Sequence, residues 1–238
     1  MPESYEIINH ILNVDTSTIA GISRAKDFGI VENHMVDVVT SSHLHEGSTL
    51  LTEMHKGRLF VLMRHPVDTA ISLFFYLGRA TWESTHKQEF NNMTLYEYAT
   101  LEDQGLRVDN WMTRYLSRKL KGPLDENDIQ LAKDIISQKA LIGLTEDYEE
   151  SLKRFDSFHG LGTWPKNGKN CVDEHIHAKA NLNKHQSFGN DTKEWKALAA
   201  ANKADIEVFE FAQTIYVKQG EWIKLHSSSR KWDYRQPW

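Results

Sequence analysis

The sequence predicts an α/β fold with a small, mostly parallel sheet flanked by many helices. Three short apolar segments have the length and composition of buried strands, and they are residues 35–40, 58–64 and 140–145. Amphipathic helices are predicted directly after the second and third of these segments, at 66–80 and 146–158. Strands that alternate with helices in this way are typical of parallel sheets, because the helix carries the chain back across the sheet.

The bulk composition predicts one domain over residues 1–238. The hydrophobic fraction is 40% and the charged fraction is 26%, both ordinary for a globular protein with a packed core. The formal net charge of -5 argues against binding to nucleic acid, which favours a basic surface. Cys171 is the single cysteine, so neither an intrachain disulfide nor a cysteine-based metal site is expected. No apolar run reaches the ~20 residues of a membrane-spanning helix.

Further helices are predicted from apolar periodicity and from capping residues. Thr94 and Glu97 form the pattern of a capping box, so a helix should begin near Thr94. The acidic start of segment 125–140 suits the positive end of a helix dipole. The other predicted helices are 3–12, 48–55, 110–120 and 191–219, and the stretch 159–190 is predicted to be irregular.

The junction between strand 58–64 and helix 66–80 is a candidate anion site. Pro66 is favourable in the first turn of a helix, so Arg64 should leave the strand beside a helix N-terminus. Ser72 lies on the same helix, and its hydroxyl could converge with the Arg64 guanidinium on one phosphate. The alternative is that Arg64 pairs with a neighbouring carboxylate and that Ser72 only fills the helix surface.

The other strand ends place more polar residues at the same predicted edge of the sheet. Thr145 ends segment 140–145, and His43 and His45 follow segment 35–40. Because ligands of open parallel sheets bind at the carboxyl ends of the strands, these residues are expected near Arg64.

Three segments resemble sulfotransferases that use 3′-phosphoadenosine 5′-phosphosulfate. "RHPVDTAIS" is similar to the family's 3′-phosphate motif, with matches at Arg64, Pro66, Asp68 and Ser72. "LIGLTEDYEESLKRF" resembles a late strand and helix of the carbohydrate-type members. "NLNKH" with "WKALAAANKADIEVFEFAQTIY" resembles their Asn-rich loop and C-terminal helix. The resemblance covers about residues 35–220.

The resemblance implies a P-loop-like three-layer fold that is N-terminally incomplete. It also implies that Arg64 and Ser72 hold the 3′-phosphate of the nucleotide, and that Lys179 and Asn183 lie in a loop closing over it. A solvated basic loop is the alternative for Lys179 and Asn183. The implied donor is 3′-phosphoadenosine 5′-phosphosulfate without a metal, and the implied acceptor is a hydroxyl of a carbohydrate-like molecule. A carbohydrate-type member would work in the Golgi lumen, and otherwise the cytoplasm is expected.

A base for the acceptor hydroxyl is the second requirement of this chemistry. In uronyl-type members a histidine at the end of the corresponding strand has this function, which favours His45 over His43, with Glu46 as a lesser candidate. In an extended segment, His43 and His45 should point the same way. Neutral imidazole suits proton abstraction because its pKa lies near physiological pH. The alternative is that one or both are ordinary histidines at the edge of the sheet.

The sequence departs from the family at the 5′-phosphosulfate loop. The family has a Lys-x-Gly-x-Thr segment between its first strand and its first helix, and we do not find it in this sequence, which is expected to begin where that loop should just have ended. Such a loop would hold the phosphosulfate on backbone N–H groups at a helix N-terminus. Lys26 or Lys56 could supply the missing charge. The alternative functions are therefore a nucleotide-binding relic or interaction module without catalysis, and, less favoured, a phosphotransferase.

Overall fold

The computed structural model describes residues 14–55, 59–83, 86–102, 107–159 and 185–226. The helix predicted at 3–12 lies outside this part of the chain. The described helices are α1 Ile19–Asp27, α2 Leu44–Ser48, α3 Pro66–Arg79, α4 Leu95–Ala99, α5 Trp111–Ser117, α6 Glu126–Lys139, α7 Tyr148–His159, α8 Lys193–Ala201 and α9 Lys203–His226. Short 3₁₀ turns cover Glu53–His55, Gln88–Asn92 and Thr145–Asp147.

The described sheet has two parallel strands, β1 Leu59–Met63 and β2 Ala140–Leu144. Leu59 is paired with Ala140 and Met63 with Leu144, so the carboxyl ends of both strands reach the same edge. The α/β class with a small parallel sheet is thereby confirmed. Helices lie on both faces of this sheet.

Alternate residues of the strands pack against different helices. Val61, Met63 and Ile142 join a core with side chains of α5, α6 and α9. Leu141 faces the other way and packs with Phe158 of α7 and Ile223 of α9. Period-two alternation along a strand explains this division into layers. Each fully buried aliphatic side chain contributes roughly 1.5–3 kcal/mol.

The strand predicted at 35–40 is wrong, because this segment is irregular. Val38 is 78% exposed. Met35, Val36 and Val39 instead pack against a small separate core beneath α1, built around Ile22. Short apolar runs do not distinguish a strand from a loop that covers a small core, since both need the same side chains.

Two predicted helices have different limits in the structure. The helix expected at 48–55 is replaced by α2, which ends at Ser48, and by the turn Glu53–His55. The helix expected at 191–219 is two helices, α8 and α9, interrupted at Asn202. Three other predictions are confirmed within a few residues, because α3 begins at Pro66 and because capping boxes start α4 at Thr94 and α6 at Asp125.

The break between α8 and α9 is joined to the start of α5 by part-buried hydrogen bonds. Asn110 donates its backbone N–H to Asn202 Oδ1 at 2.9 Å and its side-chain amide to the Ala201 carbonyl at 2.9 Å. In return, the Asp205 N–H donates to Asn110 Oδ1 at 3.2 Å. We call this set of contacts, with those of Asp205 below, the α5–α9 junction.

Asp205 is the most heavily bonded side chain of the α5–α9 junction. Its carboxylate accepts from the N–H groups of Met112 and Thr113 at 3.0 and 2.7 Å, and from the Thr113 hydroxyl at 2.7 Å. Only 5% of Asp205 is exposed. Burial raises the pKa of Asp205, whereas the donors from Thr113 and Met112 oppose that effect. The side chain of α9 thus caps the N-terminus of α5.

The outer edge of β2 is covered by side chains. Gln219 of α9 accepts from the Ile142 N–H at 2.9 Å and donates to the Ala140 carbonyl at 2.8 Å. Ser151 of α7 accepts from the Leu144 N–H at 2.8 Å. These bonds satisfy backbone groups that a third strand would otherwise pair.

Replacing Asp205 by alanine is expected to destabilise the protein by roughly 2–4 kcal/mol, because two buried donors and one part-buried donor lose their acceptor. The free energy of unfolding in urea measures the change. Glu210→Ala is the matched control, since Glu210 is exposed on the same helix. Equal stability of the two variants would contradict the capping function of Asp205.

Candidate functional site

Arg64 follows β1 at the carboxyl edge of the sheet. Its side chain is partly buried and makes no hydrogen bond or ion pair with any residue that the structure describes. It lines a small cavity of about 30 Å³ together with Leu73 of α3, Trp111 of α5 and Asn202. No described carboxylate forms an ion pair with the guanidinium, although Asp205 also lines the cavity. An arginine without a direct carboxylate partner can bind an anion.

The first turn of α3 lies next to Arg64. Pro66 occupies the first helical position, and His65 before it is extended, with φ -52° and ψ 127° and no side-chain cap. The N–H groups of Val67 and Asp68 have no acceptor in the described part of the chain. Free N–H groups at a helix start bind anions, although the Asp68 carboxylate adds a negative charge in this turn.

Ser72 lies on a different side of α3 from the Arg64 cavity. The helix contributes Thr69, Ala70 and Leu73 to that cavity, whereas Ser72 is not part of its lining. At 3.6 residues per turn, Ser72 lies about 100° around the helix axis from Leu73. A phosphate held by both Arg64 and Ser72 would therefore lie over the first two turns of α3, outside the cavity.

His45 has a defined orientation on α2. Its Nδ1 lies 2.8 Å from the carbonyl oxygen of Leu116, at the end of α5. Because a carbonyl only accepts, Nδ1 carries the proton, and in the neutral imidazole Nε2 is left as a proton acceptor. This is the arrangement that a histidine base needs.

His43 and His45 do not point the same way, contrary to the expectation for an extended segment. The residues at this point enter α2 instead of continuing a strand, and His43 is the residue before its first turn. His43 Nε2 lies 3.0 Å from the Ser17 carbonyl, near α1. The two imidazoles thus contact different parts of the fold, since the helical turn rotates one away from the other.

Arg64 and His45 meet opposite ends of α5. Trp111 and Met112 at the start of this helix line the Arg64 cavity, and Leu116 near its end binds His45. Four residues of helix separate Met112 from Leu116 by about 6 Å along the axis. The structure therefore places both candidates next to one short helix, and no hydrogen bond or ion pair between the two is present.

Glu46, the lesser candidate for the base, forms an ion pair. Its Oε1 lies 2.9 Å from Nε of Arg118, and only 12% of its side chain is exposed. This oxygen of the Glu46 carboxylate is therefore already occupied by Arg118.

Glu146 is a residue of this edge that the sequence patterns did not single out. It follows β2, and its Oε1 accepts from the His65 N–H at 3.0 Å, which links the two strand ends. The His65 ring stacks on Trp195 of α8 with ring centres 5.6 Å apart. The predicted parallel sheet could have pointed to Glu146, because parallel pairing of β1 with β2 places the residues after Met63 beside those after Leu144.

A second carboxylate at this edge, Asp147, holds Tyr216 of α9. The Tyr216 hydroxyl donates to Asp147 Oδ2 at 2.7 Å, and the Arg154 guanidinium lies 3.8 Å from the centre of the Tyr216 ring. Burial, followed by the hydrogen bond to Asp147, raises the pKa of Tyr216 to about 12. This cluster fastens α9 to the carboxyl end of β2.

Lys179, Asn183 and Lys56 lie outside the described residues. Within the described ranges, no group of three or more His, Cys, Asp or Glu side chains could hold a metal ion. None of the helices in those ranges has the length and hydropathy needed to cross a bilayer.

Lys26, one of the two lysines considered for the missing charge, lies in the last turn of α1. Burial lowers the pKa of Lys139, and the nearby charge of Lys26 adds to that effect.

Comparison with protein-family models, with curated proteins and with solved structures finds no match to this chain.

The free energy of unfolding is expected to fall as the pH rises from 10 to 12, because the unfolded chain loses the tyrosine proton near pH 10 while folded Tyr216 keeps it. Tyr216→Phe removes this contribution. The stability difference between wild type and Tyr216→Phe should therefore shrink by on the order of 2 kcal/mol across the interval. Urea titrations at several pH values measure it, and a constant difference would contradict the raised pKa.

Proposed function

We propose that this protein is a sulfotransferase that moves a sulfuryl group from 3′-phosphoadenosine 5′-phosphosulfate to a hydroxyl of a carbohydrate-like acceptor. In this proposal the fold is a variant of the P-loop-like three-layer architecture, and Arg64 anchors the 3′-phosphate. The observation that carries the proposal is the Arg64 guanidinium at a strand end, which has no ion-pair partner among the described residues and lies beside the N-terminus of α3, where no side chain forms a cap. The motif "RHPVDTAIS" supports it, because all four matching residues lie on this strand–turn–helix unit.

The anchoring part of the site fits a phosphate. Arg64 offers a planar donor fork without a carboxylate partner among the described residues, and the N–H groups of Val67 and Asp68 face the same helix end. The ligand would lie outside the small cavity, over the first turns of α3, where Ser72 is also exposed in part. Anchoring of this kind contributes binding and orientation.

The proposed proton acceptor is Nε2 of His45. In the transfer, the acceptor oxygen forms a bond to sulfur, its proton passes to His45 Nε2, and the bond from sulfur to the 5′-phosphate oxygen breaks. The products are a sulfate ester and 3′,5′-adenosine bisphosphate. The carbonyl of Leu116 supports this function by holding the proton of His45 on Nδ1. The described residues contain no Lys-x-Gly-x-Thr loop that could hold the phosphosulfate.

That departure favours a second candidate function, nucleotide binding without transfer, as a relic or interaction module. Both candidates use Arg64, and only the first uses His45. A phosphotransferase is the less favoured third candidate, because it would need both a Gly-rich loop with a lysine and an acidic ligand for Mg²⁺.

Arg64→Ala is expected to weaken the binding of 3′,5′-adenosine bisphosphate roughly 10- to 100-fold, because a charged hydrogen bond to phosphate is lost. Isothermal titration calorimetry measures the dissociation constant. Arg64→Lys should give an intermediate value, since an ammonium keeps the charge and loses the fork. Arg79→Ala, at the exposed C-terminal end of α3, is the matched control and should bind like wild type. Wild-type affinity in Arg64→Ala would exclude every version of the proposal.

His45→Asn is expected to lower the sulfuryl transfer rate about 10²- to 10⁴-fold, because the base is lost while the amide can still donate to the Leu116 carbonyl. Transfer of labelled sulfate to a panel of carbohydrate acceptors measures the rate, and nucleotide affinity should stay unchanged. His43→Asn is the control and should retain most of the activity. Nucleotide binding without any transfer in wild type would favour the relic.

A further inference from the structure

A second cavity, of about 280 Å³, is lined by Asn110 and Ala201 of the α5–α9 junction, whereas Asn202 and Asp205 of the junction line the Arg64 cavity. Its polar lining includes Arg114, Lys203 and Asp109, and its apolar lining includes Pro123, Leu124 and Ile129. This volume is at the lower end of the range for small-molecule sites. It suits a ligand with one polar group and a small apolar part.

Arg114 is a buried side chain with one amino group left without a partner among the described residues. The residue is only 8% exposed. Its Nε donates to the carbonyl and to Oδ1 of Asp109, both at 3.1 Å, and its Nη1 donates to the carbonyls of Lys119 and Gly122 at 3.2 and 2.9 Å. Nη2 has no acceptor in the described ranges. Because Nε and Nη1 are held by these hydrogen bonds, the N–H groups of Nη2 are the ones available to a ligand in the cavity.

The start of α9 supplies further donors to this cavity. Lys203 and Ala204 both line it, and their backbone N–H groups have no acceptor in the described part of the chain. The Lys203 ammonium is exposed and forms no ion pair with a described carboxylate. The helix is 24 residues long, so its N-terminus adds the positive end of a full dipole.

The charges around the cavity leave a positive excess. The Asp109 carboxylate lies 3.1 Å from Arg114 and 3.6 Å from Arg107, so two guanidinium groups face one carboxylate there. Lys203 adds a third positive charge, and Asp205 behind the wall adds a second negative one that three donors already occupy. An anion that enters this cavity therefore meets hydrogen-bond donors that have no acceptor among the described residues.

We propose that this cavity binds a phosphate or sulfate monoester with a small apolar group. The tetrahedral oxyanion accepts from Nη2 of Arg114, the Lys203 ammonium and the first N–H groups of α9, and the apolar group packs against Leu124 and Ile129. Three oxygens match this spread of donors better than the two of a carboxylate. The proposal is independent of Arg64 and of the proposed sulfuryl transfer.

The test is a calorimetric titration of the full chain with phenyl phosphate and phenyl sulfate, beside inorganic phosphate and inorganic sulfate. We expect saturable binding of at least one phenyl ester, tighter than that of its inorganic ion. The ester that binds more tightly identifies which oxyanion the cavity takes. Lys203→Gln should weaken binding about tenfold, as expected for loss of one charged donor. Ala200→Glu, at the exposed rim of the cavity, should weaken it further.

Two control variants distinguish binding in this cavity from diffuse attraction to the surface and from binding at Arg64. Lys218→Gln removes an exposed charge from the same helix, and Arg64→Ala removes the other candidate anion site, and both should bind like wild type. Equal weakening by Lys203→Gln and Lys218→Gln would overturn the proposal in favour of diffuse attraction. Loss of binding in Arg64→Ala alone, or inorganic ions that bind as tightly as the esters, would overturn it as well. So would the absence of saturable binding of every compound.

Discussion

The part-buried exchange of hydrogen bonds between Asn110 and the Asn202–Asp205 turn is the constraint on which the rest of the fold depends. It lies where α8 ends, α9 starts and α5 is capped. The side chains of Asn202 and Asp205 accept from backbone N–H groups at the start of α5, and the side chain of Asn110 accepts from a backbone N–H group of α9. Such a network is costly when only partly satisfied, because its groups are shielded from water. The direction of α9 across the sheet follows from it, and so does the position of α5 against α6 and α9.

Both candidate ligand sites flank this junction. The Arg64 cavity lies where α3 meets the start of α5, and the Arg114 cavity lies where α5 meets the start of α9. The two sites share a physical origin, because helix starts bring together N–H groups that the helices themselves cannot pair. At α5 the carboxylate of Asp205 takes these donors, whereas at α3 and α9 the described residues leave them for a ligand.

Local sequence patterns predicted most helices and strands, but they did not predict the contacts between residues that are distant in the sequence. Pro66, the two capping boxes and the apolar runs of β1 and β2 encode their elements within a few neighbouring residues. The segment 35–40 failed because its valines cover a small core, which only the tertiary structure determines. The position of Arg64 at the carboxyl edge of the sheet could be predicted, because Arg64 directly follows the apolar run of β1. The orientation of His45 did not, because its partner Leu116 lies 71 positions away, and Glu146 and Arg114 gain their importance only from contacts between distant segments.

The two edges of the sheet differ in whether a further strand could pair with them, because side chains cover the outer edge of β2. Gln219 and Ser151 occupy the outer backbone groups of Ala140, Ile142 and Leu144, so strand addition on that side would first have to displace two buried side chains. No described group hydrogen-bonds to the opposite edge, along Leu59–Met63. An unpaired edge is a template for another extended segment, in the same chain or a different one. As far as the described part of the chain is concerned, the β1 side is therefore the edge at which another extended segment, including one from a second copy during refolding, could join this sheet.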